Sequence, residues 1–88
     1  MPSKTVIVGS AIGLHARPAA LIAEAAGKYD DEVTLAVDGE EPVDAASALM
    51  IMTLGAEKGA EVTVSSDNAD ALEEVAGLVE KDLDAVDA

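Results

Sequence analysis

The stretch EVTLAVDG (residues 32–39), followed by EEPV (40–43), decides the fold class. Val33, Leu35 and Val37 alternate with Thr34 and Ala36, the period-two pattern of a strand buried on one face. Asp38-Gly39 is a hairpin turn pair, because glycine reaches positive φ without steric cost. The residues after it predict a short return strand over 40–43. With one hairpin in the chain, the sheet is not all parallel.

Working outward, KTVIV (4–8) is β-branched and reads as a strand, and 9–14 is a loop punctuated by glycine. Residues 16–28 predict a helix with Leu21, Ile22 and Ala25 at helical spacing. Pro18 is tolerated there because it falls in the first turn, and Gly27 lies near the end. On the other side, 47–54 predicts a short helix capped by Ser47 and ended by Gly55. EVTVS (61–65) is another strand. Asp67 or Asn68 then caps a longer helix whose apolar stripe is Leu72, Val75, Ala76, Val79 and Leu83. The tail after Asp84 is expected to fray. The order β-α-β-β-α-β-α fits a two-layer α+β domain with helices on one face of an antiparallel sheet.

Eighty-eight residues make one domain, 1–88, with a small core. Half the residues are hydrophobic, but 18 of these are Ala and 10 are Val, against eight Leu, four Ile and three Met. The core must therefore be built from small side chains on closely approaching elements. There are no cysteines, which excludes disulfides and thiolate metal sites, and a single histidine excludes a multi-histidine cluster. No Trp, no Phe and one Tyr leave no base-stacking platform. Five basic residues against 18 acidic give a net charge of −13, the wrong sign for nucleic-acid phosphates. The charge has two readings, an acidic partner-binding surface or a halophilic cytosol, and the acids are dispersed along the chain rather than gathered in one tail, the pattern expected of the second. Residues 5–14 are apolar enough to mimic a signal core, but Gly9, Ser10 and Gly13 interrupt them. No apolar run reaches the ~18 residues of a membrane helix. A cytoplasmic monomer is the expectation, with no membrane insertion.

The chemistry concentrates in GLHARPAA (13–20), which holds the chain's single histidine, His15, and its single arginine, Arg17. His15 stands where a glycine loop feeds a helix. The first-turn amides of that helix lack internal acceptors, and with the helix dipole they favour an anion. Neutral imidazole is a nucleophile near pH 7. It can take a phosphoryl group on a ring nitrogen, while the amides of Ala16 and Arg17 and the Arg17 guanidinium steady the added charge. No Walker loop, Ser/His/Asp set or metal cluster completes an enzyme. The bland alternative is a surface histidine at a helix start beside a solvated arginine.

GLHARPAA resembles the phosphohistidine signature of the HPr family of phosphocarriers of the sugar phosphotransferase system. VDAASALMIMTLG (43–55) resembles the family's second signature, around a serine, and AEKGAEVTVS (56–65) resembles the strand that follows. The resemblance implies an open-faced β-sandwich of four antiparallel strands with three helices on one face. It implies that His15 accepts a phosphoryl group on Nδ1 from phospho-Enzyme I, charged by phosphoenolpyruvate, and passes it to an EIIA domain of a sugar permease. Arg17 aligns with the family's phosphate-proximal arginine. No cofactor or metal is implied.

Three departures stand apart. Ile12 replaces a residue often polar in relatives. The lysines that many relatives use for docking are nearly absent: the first helix carries Glu24 and, at its end, Lys28. In the second helix, Ala48, Ile51 and Leu54 share the face assigned to the core. That leaves Leu49, Met50 and Met52, with Ala20 of the first helix, as an apolar docking patch suited to high salt. Ser47 aligns with a serine that a kinase modifies in some relatives, and it is also an N-cap. Other readings are a nitrogen-type or dihydroxyacetone-kinase-linked relay, a binding module that has lost the relay, and an acyl carrier. The last leaves the strands unexplained and lacks an Asp-Ser-Leu context.

Overall fold

Residues 61–66 alternate as the sequence requires of a central strand: Val62, Val64 and Ser66 are fully buried, while Glu61 is exposed and Thr63 and Ser65 are half-buried. The structure, a computed structural model, describes residues 2–9, 16–37 and 39–81. Its strands are β1 (Ser3–Ile7), β2 (Val33–Val37), β3 (Val43–Asp44) and β4 (Glu61–Ser66), and its helices are α1 (Ala16–Gly27), α2 (Ala48–Thr53) and α3 (Ala69–Glu80). The strands form one antiparallel sheet in the order β1-β4-β2-β3. The helices cover one face, as expected of an open-faced sandwich.

Register places two apolar rows under the helices. Val6, Val62 and Val37 stand side by side in one, and Lys4, Val64 and Leu35 in the other. Lys4 is exposed on the edge strand, and its amine reaches Glu73 of α3 at 3.3 Å. The opposite face carries Thr5 beside Thr63, their hydroxyls 3.0 Å apart, and Ser3 beside Ser65. Small hydroxyl side chains suit a face left to water.

The core matches the composition. Ala19, Ala26, Ala71 and Ala76 are small enough to let α1 pack closely on its neighbouring helices and α3 on the sheet, and the largest fully buried side chains are Ile22, Leu35 and Ile51. The buried Ser66 is satisfied: its N–H donates to the Pro2 carbonyl at 3.0 Å and its Oγ accepts from the Asn68 N–H at 3.1 Å. Asn68, not Asp67, caps α3. Its Oδ1 accepts from the N–H groups of Asp70 and Ala71, and its Nδ2 donates to Asp31 at 2.9 Å.

Two expectations are corrected. The turn at Gly39 is present, with φ +83° and the Glu40 N–H donating to the Val37 carbonyl at 3.0 Å. The return strand, however, is Val43–Asp44 rather than 40–43. Pro42 has no N–H for a ladder, so pairing begins beyond it, at Leu35 opposite Val43. Leu21, placed in the apolar stripe of α1, is 40% exposed, whereas Ile22 and Ala25 are buried. The buried arc of α1 is centred on Ile22, and Leu21 lies 100° round the helix from it. Of the α3 stripe, Leu72, Val75, Ala76 and Val79 are buried; Leu83 and the tail lie outside the described residues, as does Asp38.

Candidate functional site

The start of α1 is built around Pro18. Its ring is fully buried and Ala19 beside it is inaccessible, so the first turn is seated on the core and turns Ala16 and Arg17 outward. His15 immediately precedes this turn. It lies outside the described residues, together with Ile12 and the rest of 10–15. The structure describes the frame that follows it in the sequence, the first turn of α1.

That frame suits an anion. The first turn of α1 contains no acidic residue, although the chain carries 18. Its amides lack intrahelical acceptors, and the dipole adds positive potential there. Arg17 is exposed and makes no ion pair with any described residue.

The other end of the connecting segment is also anchored. Past β1, the Val8 N–H donates to the Ala60 carbonyl at 2.9 Å, and the Gly59 N–H donates to the Val8 carbonyl at 3.0 Å. The Gly9 N–H donates to the Val79 carbonyl at 3.2 Å. A Cβ on Gly9 would stand 2.0 Å from the Glu80 carbonyl oxygen, so only glycine fits where β1 exits against the last turn of α3. In the sequence Gly9 is one of the glycines that punctuate the loop after β1; its close approach to the chain depends on α3 being in place.

Ser47 is the N-cap of α2: its Oγ accepts from the Met50 N–H at 3.3 Å, and its carbonyl accepts from Ile51 at 3.0 Å. Gly55, at φ +63°, follows the end of that helix. Ile51 is fully buried, and Ala48 and Leu54 pack against the core partly buried. Leu49, Met50 and Met52 are 69%, 41% and 37% exposed, and Ala20 is exposed on α1. From Ala45 to Ala56 the sequence contains no charged residue, so the surface beside α1 is apolar in an otherwise acidic molecule.

The far end of α1 is tied to α3 by a feature the sequence gave no sign of. Glu74 accepts from the Tyr29 hydroxyl at 2.6 Å and pairs with Lys28 at 2.7 Å. The hydrogen bond from Lys28, then that from Tyr29, holds the Glu74 carboxyl below its ordinary range. The same contacts raise Lys28 and Tyr29. Among the described residues no group of three or more His, Cys, Asp or Glu could hold a metal ion. No helix among them is long and apolar enough to cross a membrane.

The family profile described as the PTS HPr component phosphorylation site (PTS-HPr) matches residues 2–81. The phosphocarrier protein HPr of Streptomyces coelicolor is 42% identical over 87 residues, spanning 96% of this chain and 94% of that protein. Among solved structures, HPr-C-His from Thermoanaerobacter tengcongensis superposes with a TM-score of 0.84 at 31% identity, covering 98% of this chain and 99% of that one. A phosphocarrier protein HPr from Bacillus anthracis gives 0.80 at 34% identity, with coverage of 89% and 95%.

Proposed function

The chain belongs to the HPr family of phosphocarriers, and we propose that it takes a phosphoryl group on His15 from phospho-Enzyme I and passes it to an EIIA domain of a sugar permease. An imidazole nitrogen, Nδ1 in this reading, attacks phosphorus. The new P–N bond forms as the donor's bond to phosphorus breaks, and the reverse exchange delivers the group to the acceptor. The amides of Ala16 and Arg17 and the Arg17 guanidinium neutralise the incoming charge. Because these groups are exposed, they hold it loosely enough for release. The observation that carries the reading is the acid-free, core-seated helix start bearing an uncommitted arginine directly after His15.

The docking contact is apolar: the partner lies over Ala20, Leu49, Met50 and Met52, because the lysines of a charge-based contact are absent from this surface. Replacing Met50 with Asp is expected to slow transfer from Enzyme I, and an unchanged rate refutes this contact. Ser47 is half-buried and committed to its cap; a kinase acting on it would have to open the first turn of α2. The protein works as a single-domain monomer in a salt-rich cytoplasm, where molar salt reduces the screening length to about 3 Å and quiets the repulsion among its acids.

The test is incubation in molar salt with phosphoenolpyruvate, Mg²⁺ and Enzyme I, beside a His15→Ala variant. The expected result is an intact-mass gain of one phosphate, labile in acid and stable in base, in the wild type alone. Folded wild type that gains no phosphate overturns the donor assignment. A gain in the His15→Ala variant overturns the residue.

A further inference from the structure

Sulfur in this chain is confined to methionine. There are no cysteines, and of the three methionines two, Met50 and Met52, lie on α2. They flank the fully buried Ile51, each about 100° round the helix from it, and so stand at the shoulders of the core-facing arc, 41% and 37% exposed. The backbone between them is held without help from either thioether. The Met50 N–H donates to the Ser47 Oγ at 3.3 Å, the Met50 carbonyl accepts from the Thr53 hydroxyl at 2.5 Å, and Ile51 anchors the helix in the core. A chemical change at the two sulfurs therefore alters the surface and leaves α2 in place. Leu49 and the absence of charge from Ala45 to Ala56 make that surface apolar. Thiol chemistry is closed to a chain without cysteine, which leaves these two thioethers as the exposed oxidisable sulfur among the described residues.

We propose that Met50 and Met52 form a reversible oxidation site through which a peroxide turns the carrier's docking surface off. The inference rests on the phosphocarrier reading and on its apolar contact. The thioether sulfur attacks one peroxide oxygen. An S=O bond forms, the O–O bond breaks, and the second oxygen leaves as water, or as an alcohol from an organic hydroperoxide. Methionine loses two electrons and the peroxide gains them. The reverse step consumes two thiols, which become a disulfide while the sulfoxide oxygen leaves as water. Oxidation converts a flexible apolar side chain into a polar one. In the free protein water meets the new oxygen, because both side chains are partly exposed. Under a docked partner that water is lost. A surface shaped for apolar side chains offers the oxygen no donor, and a buried polar group without a partner opposes binding. Both sulfurs lie on the same short helix, so each oxidation acts on the same contact.

The experiment treats wild type and a Met50→Leu/Met52→Leu double variant with hydrogen peroxide in molar KCl. Peptide mass mapping locates the added oxygen, and circular dichroism follows the fold. Each protein's KM as a substrate of Enzyme I and phosphoenolpyruvate is compared before and after treatment. In wild type the expected result is one oxygen on each of Met50 and Met52 and an unchanged helical spectrum. Its KM rises about tenfold, the size of one buried polar group left unpaired, while kcat holds because the atoms at His15 are untouched. Methionine sulfoxide reductase with dithiothreitol returns KM to its starting value. In the double variant, whatever its starting KM, peroxide leaves that value where it began. Met50 and Met52 that stay unoxidised at peroxide levels that oxidise free methionine overturn the site. Oxidised, folded wild type with its original KM also overturns it, and if Met50→Asp still slows transfer the docking contact stands. A loss that falls on kcat alone, an equal loss in the double variant, or a collapsed helical spectrum overturns it as well, since the damage then lies in the chemistry or the fold. Untreated wild type that gains no phosphoryl group overturns the phosphocarrier reading itself, and this site with it.

Discussion

Gly9 and Gly77 respond oppositely to the same methyl group. At Gly9, a Cβ would lie 2.0 Å from the Glu80 oxygen and 2.7 Å from its carbon, both backbone atoms that no rotamer can move. Gly9 does not have positive φ, so the obstacle is steric and not conformational. Relief requires β1 or the last turn of α3 to shift, which costs about 1–3 kcal/mol as overpacking. The shift also strains the 3.2 Å hydrogen bond to Val79, worth about 1 kcal/mol. Gly9→Ala is therefore expected to destabilise by about 3 kcal/mol, a large share of the ~4–13 kcal/mol available to a chain of this length. In a thermal melt that is a drop of roughly 12–24 °C. Gly77 lies within α3 with nothing within 4 Å of its added Cβ. Gly77→Ala is expected to stabilise by about 0.5–1 kcal/mol by restricting the unfolded chain. Both variants are measured by chemical and thermal unfolding in molar KCl. A Gly9→Ala loss below ~1 kcal/mol, or shifts of the same sign in both variants, refutes the close approach of β1 to α3 and with it the anchoring of the segment that leads to His15.

Ser47→Ala removes the α2 cap and is expected to cost about 1 kcal/mol, whereas Ser47→Asp, an equally good cap, stays near wild type; equal losses in denaturant titration would show that the cap is not what Ser47 contributes. Glu74→Gln tests the tie between α1 and α3 through pH. Glu74's folded pKa is lowered, so its contribution is present above the ordinary value of 4.5 and lost as pH falls through the folded value. Lys28 and Tyr29 are raised, so theirs is present below 10.5 and 10.0 and lost as pH rises through the folded values. The difference in Tm between wild type and Glu74→Gln should be largest between these limits and shrink on both sides; a pH-independent difference contradicts the assignment. Raising KCl from about 0.1 M to 1 M, which shortens the screening length from ~10 Å to ~3 Å, is expected to raise Tm, and a flat response removes the case for a salt-adapted surface.

Much of this protein was legible in one dimension because its determinants are local. The alternation of Val33, Leu35 and Val37, the turn glycine at 39, the cap at Ser47 and the stripe from Leu72 to Val79 each act within a few residues, and each element formed where its pattern stands. The pairing of His15 with Arg17 at a proline-set helix start is local too, and the family follows from it. Tertiary structure decided what depends on distant neighbours. Helical spacing alone does not say which arc of α1 meets the sheet, so Leu21 was misplaced until packing centred that arc on Ile22. Pro42 displaced the return strand because ladder hydrogen bonds need a donor on each strand. The passage of β1 past Glu80 at Gly9, and the meeting of Tyr29 and Lys28 with Glu74, join residues more than forty positions apart. Such contacts exist only once the helices have been laid across the sheet, because side-chain chemistry fixes what a residue can bind while the path of the chain fixes what it meets.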